Sequence, residues 1–178
     1  MMSRQIKEVI LSIFFILALT GLCVAQNKTY PEDISSAQAL FEGFVFFTDI
    51  QRISLKSEKI WFPSKMDEHK LGSKIINKLF EGPSQTNLEQ VWPKGVKLNA
   101  LFISDGKAWV DLDIGPKMTN DMDMRSELLA VYSLVNSLTL NISGIKMVKI
   151  LVQGQEAATL AGHLDMGYFY KTNMLIVK

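Results

Sequence analysis

The sequence predicts an α+β domain of two layers, with two helices packed on one face of a mixed sheet. Segments of alternating apolar residues and segments of helical periodicity follow one another in the order strand, helix, hairpin, helix, strand. The 178 residues are 48% hydrophobic and 21% charged, which suits one folded domain and excludes disorder, collagen and a multi-pass membrane protein. The 153 residues from Gln26 onward are enough for a domain that buries its own core.

The apolar run Phe44-Val45-Phe46-Phe47 suits a first strand, and the alternation in Ile53-Ser54-Leu55-Lys56 suits a second, with Pro63 interrupting the region. Leu71, Ile75, Ile76, Leu79 and Phe80 then recur at helical spacing opposite Lys74, Asn77 and Lys78, and Gly82-Pro83 stops that helix. Trp92-Pro93-Lys94-Gly95 leads into Val96 to Ile103, which alternates at first and then becomes wholly apolar. Ala108, Val110 and Leu112 alternate with Trp109, Asp111 and Asp113, so the two runs form a hairpin around Asp105-Gly106. Asn120, Asp121 and Asp123 supply capping oxygens and negative charge to a second helix. Its buried stripe is Leu128, Val131, Tyr132, Val135 and Leu138, and its end falls near Ser143-Gly144. Val148, Ile150 and Val152 make a last strand that runs to Gln153-Gly154-Gln155.

Upstream, Arg4 and Lys7 precede an apolar stretch from Val9 through Ala18 to Ala25, the make-up of a secretory signal. Cleavage after Ala25 places Cys23 and Ala25 at the small-residue positions. An uncleaved signal anchor comes next among the alternatives, and lipidation of Cys23 third, because Leu22 occupies the position where a lipobox has a small residue. The expected organisation is thus a signal peptide or signal anchor over 1–25, a polar tether over 26–40 and the domain over 41–178. Without Arg4, Lys7 and Glu8 the chain carries 17 basic and 17 acidic residues, so phosphate neutralisation is no driving force and nucleic acid is not an expected partner. Cys23 is the only cysteine, which leaves the exported part without thiol chemistry.

His163-Leu164-Asp165 is the one place where an imidazole and a carboxylate stand close together, and such a pair can orient a general base or a metal ligand. No nucleophile or further ligand accompanies it, so Gly162, His163 and Asp165 are read as a turn fixed by the glycine, or as a partner contact. Asp111 and Asp113 point to one side of a strand, roughly 7 Å apart, the polar face of a half-buried strand. His69 belongs to a solvated helix start beside Asp67 and Glu68. Asn120-Asp121-Met122-Asp123 lacks the glycine and glutamate of a calcium loop. No dinucleotide, phosphate-loop, nucleophile-elbow or zinc-protease motif is present. No catalytic residue, cofactor or metal site is expected.

Six segments in order resemble the GerMN domain of bacterial sporulation and spore germination proteins. They are Leu79 to Pro83, Trp92 to Leu98, Asp105 to Leu112, Ser126 to Thr139, Val148 to Gly154 and Thr159 to Asp165. The resemblance implies a compact two-layer domain similar to ring-building motifs, displayed outside the cytoplasmic membrane and without enzymatic activity. It also implies partners among the envelope proteins of a membrane-associated complex, self-association included. Some relatives carry two tandem copies; this chain has one, and Tyr168 to Lys178 extend past the usual end. The expected function is an exported interaction or assembly module in the periplasm or on the outer face of the cytoplasmic membrane. Two alternatives stand beside it. A glycan-binding module would show Trp61, Trp92 or Trp109 on one face, and a small hydrolase would bring Asp111, Asp113 and His163 into one cleft.

Overall fold

A computed structural model describes residues 39–115 and 119–178. The expected leader over 1–25, with Cys23, and all but the end of the expected tether over 26–40 lie outside these residues. Strand β1 (Leu40–Asp49) begins one residue before the expected domain boundary and pairs antiparallel with β2 (Leu55–Pro63) over nine residues. Asp49 builds the turn between them. Its carboxylate accepts from the Ile53 N–H at 2.9 Å and from Ser54 Oγ at 2.7 Å, and the Ile53 bond chiefly holds it below the usual carboxylate range. Helix α1 spans Glu68–Glu81 and is followed by the two-residue strand β3 (Leu88–Glu89), which adds to β1. Strands β4 (Lys97–Ser104) and β5 (Lys107–Asp113) form the expected hairpin, with Asp105 and Gly106 both at positive φ in its turn. Helix α2 (Met124–Asn141) and strand β6 (Met147–Val152), parallel to β5, complete the order.

The α+β class and the strand, helix, hairpin, helix, strand order stand as expected. The strands are divided between two three-stranded sheets, β2-β1-β3 and β4-β5-β6. Side chains of α2 explain the division. Asn141 accepts from the Phe44 N–H at 2.9 Å and donates to the Phe44 carbonyl at 2.6 Å, while Ser137 Oγ accepts from the Phe46 N–H at 3.0 Å. Along this stretch the helix supplies the hydrogen bonds that a neighbouring strand would have made. Gly43 permits the close approach, since a Cβ there would lie 2.5 Å from Asn141 Oδ1 and 2.7 Å from the Phe62 ring.

Helix α1 follows its pattern. The Asp67 side chain caps it through the Lys70 N–H, it buries Leu71, Ile75, Ile76 and Leu79, and Gly82 ends it at φ 92°. Helix α2 corrects the expected stripe: Leu128 and Tyr132 are only half-buried, whereas Leu129, Ala130, Ser133, Leu134, Asn136 and Ser137 join Val131, Val135 and Leu138 in the interior. Two apolar clusters meet at this helix. The main core lies on one side, and on the other Leu129 packs with Phe46 and Leu55, so nearly its whole circumference is covered. Among the described residues, no helix is long and apolar enough to cross a membrane.

The segment after β6 is stitched across the molecule at three stations. Val148 and Tyr170 exchange both backbone bonds at 2.8 Å. The Asn136 amide donates to the Asn173 carbonyl and accepts from its N–H, both at 2.9 Å. Leu55 donates to the Ile176 carbonyl at 2.8 Å and accepts from the Lys178 N–H at 3.0 Å. The C-terminal residues therefore join the β6 edge, helix α2 and the β2 edge.

Candidate functional site

Gly162, His163 and Asp165 lie on a loop that crosses the start of α2, and the residue that organises it is Glu127. Its side chain is fully buried in the first turn of α2. Oε1 accepts from the backbone N–H groups of Leu160 at 2.9 Å and Ala161 at 2.8 Å, and Oε2 from those of His163 at 2.9 Å and Leu164 at 3.2 Å. Four donors on one carboxylate provide what a buried charge requires, and they fix the loop's path. Gly162 turns within this cradle at φ 101°, its N–H donating to Thr159 Oγ1 at 3.1 Å.

The two polar side chains of the loop face outward. His163 is exposed, with Nε2 3.3 Å from the Met122 carbonyl oxygen, so the Nε2–H tautomer is the one that donates there. Asp165 Oδ1 accepts from the Gly167 N–H at 2.7 Å, and the Asp165 carbonyl accepts from the Tyr170 hydroxyl at 2.7 Å. His163 and Asp165 thus have separate partners. Asp123 caps α2 through the Ser126 N–H at 2.7 Å, and that bond chiefly lowers its pKa. The buried Lys149 ties the loop's far end to β6, donating to the Gly167 carbonyl at 2.7 Å, with Glu156 at 3.3 Å as its counter-ion.

Burial, followed by the nearby Tyr132, Asp165 and Glu127, raises the Tyr170 phenol to about 12. A phenol whose folded pKa lies above its unfolded value of about 10 contributes stability that is present below pH 10 and lost as pH rises toward 12. Alkaline titration followed at the tyrosinate absorbance should show one late-titrating phenol, and Tyr170→Phe should remove it. A late step that survives Tyr170→Phe would assign the shift to another tyrosine. His163→Ala, by contrast, should cost less than about 1 kcal/mol in chemical denaturation, because the ring is exposed and makes one long bond. A loss beyond about 2 kcal/mol would mean that the ring holds the loop.

The other constellations occupy separate places. Asp111 Oδ1 accepts from the Gly154 N–H at 2.6 Å and Asp113 Oδ1 lies 3.5 Å from Gln153 Nε2, so both carboxylates serve the turn after β6. His69 is exposed on α1. The tryptophans do not share one face. Trp92 is in the core, its indole N–H donating to Ser133 Oγ at 3.0 Å, while Trp61 is exposed on β2 and Trp109 is half-buried on β5. An open cleft of about 400 Å³ lies between the β1–β2 turn, the Trp92-Pro93-Lys94 loop and the start of α2. Arg52 and Lys94 face it, as do Glu89 and Asp121, so it has no dominant charge. Among the described residues no group of three or more His, Cys, Asp and Glu side chains is placed to hold a metal ion.

Comparison with known proteins adds the following. The model of the family described as sporulation and spore germination (Germane) matches residues 44–158. No curated protein matches the chain. A solved candidate lipoprotein from Clostridium perfringens is 24% identical with a TM-score of 0.54, over 75% of this chain and 87% of that one. The tandem GerMN domains of the sporulation protein GerM from Bacillus subtilis are 18% identical with a TM-score of 0.60, over 75% of this chain and 46% of that one. The first GerMN domain of the same protein is 19% identical with a TM-score of 0.57, over 74% of this chain and 97% of that one. At these identities the likeness establishes a shared fold.

Proposed function

Because the chain belongs to the sporulation and spore germination family, Germane by its short name, we propose that it is a non-enzymatic assembly module of the bacterial cell envelope. It is exported by its N-terminal segment, held outside the cytoplasmic membrane, and joined there to protein partners. The observation that carries this reading is the use made of Glu127. The most deeply buried carboxylate near the loop is spent on four backbone donors, an arrangement that stiffens a surface and commits that carboxylate to structure. The loop so held presents His163 to solvent at the start of α2. A rigid exposed loop binds without a large ordering cost, which is what an interaction module needs.

Envelope placement draws support from the basic and apolar N-terminal segment, and from the candidate lipoprotein that shares the fold. The GerM chain carries two GerMN domains where this chain has one, so self-association belongs to the proposal. The hydrolase alternative is weakened because Asp111 and Asp113 are bonded to the 153–154 turn while His163 is bonded to Met122. The glycan alternative is weakened by the scattered tryptophans.

Affinity capture of the intact protein from its native envelope, with identification of what co-purifies, tests the proposal. The expected result is a defined set of envelope proteins whose recovery falls with His163→Ala, although the variant stays folded. Recovery of no envelope protein would overturn it, as would turnover of a cell-wall substrate that is lost with Asp111→Asn.

A further inference from the structure

Two of the long sheet edges in this fold are largely occupied, β6 at Val148 by Tyr170 and at Val152 by Gln155, and β1 by Ser137 and Asn141 of α2, while β2 is bonded on its outer side at Leu55 alone, to Ile176 and Lys178. Strand β4 has no such bond along its length: among the described residues β5 is its only strand neighbour, and no loop or tail bond reaches its outer side. An uncovered strand of eight residues is a template for pairing. Its exposed face is apolar at the centre. Phe102 is 58% exposed and stacks 5.5 Å from Trp109, which meets Phe169 at 5.3 Å, so a row of three aromatic rings runs to this edge and stops there. The small, exposed Ala100 stands beside Phe102, while Lys97 and Asp105 mark the two ends with opposite charge.

We propose that β4 pairs antiparallel with β4 of a second copy of this chain about a two-fold axis at Leu101. This rests on the assembly-module reading and names its first partner. The strand is complementary to itself in this register. Ala100 falls opposite Phe102 of the other copy, so a large side chain meets a small one at both symmetric positions. The β-bulge between Leu98 and Ala100 shifts the strand's beginning by one residue. Lys97 then stands beside the Ser104-Asp105 end of the other copy, and the two-fold axis makes the same opposite-charge contact at the far end. The two β4-β5-β6 sheets become one sheet of six strands, with the Phe102 rings of the two copies as diagonal neighbours across the junction.

Sedimentation equilibrium of the detergent-solubilised full chain decides the matter, because two charge reversals can be used separately and mixed. Wild type should dimerise with concentration. Lys97→Glu places two acids together at both ends of the pair and Asp105→Lys two bases, so each variant alone should dimerise about tenfold more weakly or worse. An equimolar mixture of the two restores opposite charges at both ends and should recover the wild-type affinity. Wild type that stays monomeric overturns the inference, and so does a dimer indifferent to both variants or not rescued by mixing. If Asp105→Lys fails to fold because Asp105 sits at φ 50°, Phe102→Lys replaces it, and a dimer that survives that change equally overturns the pairing. Envelope capture without partners, alongside a dimer that obeys the charge rule, would reject the wider assembly function and leave β4 pairing intact.

Discussion

Glu127→Ala should destabilise the domain by about 3–5 kcal/mol, the largest loss expected from any single substitution outside the apolar core. The substitution removes the acceptor of four backbone N–H groups at once, and the Leu160 donor has little access to water as a replacement partner. Hydrogen bonds to a charged group are worth about 1.5–3 kcal/mol each, and the total falls short of their sum because the loop can relax toward solvent once released. Glu127→Gln separates shape from charge. Its amide oxygen can still accept from one pair of donors, but the NH2 then confronts the other pair, so roughly half the loss is expected. Denaturant unfolding followed by circular dichroism gives the free energies. Amide exchange at Leu160, Ala161, His163 and Leu164 gives the location. Glu127→Ala costing under about 1 kcal/mol, with those four amides still protected, would show that the carboxylate does not hold the loop.

Glu127 also marks where the sequence stops being legible. An acidic residue in the first turn of a helix reads as a favourable charge at the dipole's positive end, and nothing local distinguishes it from a solvated one. Its partners lie 33 to 37 residues downstream, in a loop with no periodicity. The elements that were legible are those whose logic is short-range: the Asp105-Gly106 hairpin, the apolar face of α1 and the Gly82 stop. Helix α2 was legible in place and length but not in its facing. Asn136, Ser137 and Asn141 resemble an outward polar side, yet each bonds to backbone elsewhere, at Asn173, Phe46 and Phe44. A sequence signal did exist. Ser133, Asn136, Ser137 and Asn141 recur at three- and four-residue spacing in a helix that is otherwise apolar, so the small polar stripe faces a neighbour that needs donors and acceptors. For the Gly162–Asp165 loop, the glycine's positive φ was legible, whereas the donor roles of its backbone depended on a residue far up the chain.

Three substitutions within one turn of α2 test that facing. Leu138→Ala should cost about 2–5 kcal/mol, since its side chain is fully buried in the main core and truncation leaves a cavity that the two sheets cannot close. By periodicity alone Ser137→Ala would serve as the harmless control, but Ser137 is also fully buried and its hydroxyl oxygen is the acceptor for the Phe46 N–H. Its removal orphans a buried donor on the β1 edge and should cost about 1–3 kcal/mol. The neutral control is Leu140, 46% exposed, where truncation should stay within about 0.5 kcal/mol. The order Leu138, Ser137, Leu140 is the expected result in denaturant unfolding, with an unchanged m-value showing that the folded and unfolded states keep their compactness. A Ser137→Ala chain as stable as Leu140→Ala would mean that water satisfies the Phe46 N–H, and α2 would then not stand in for the missing strand.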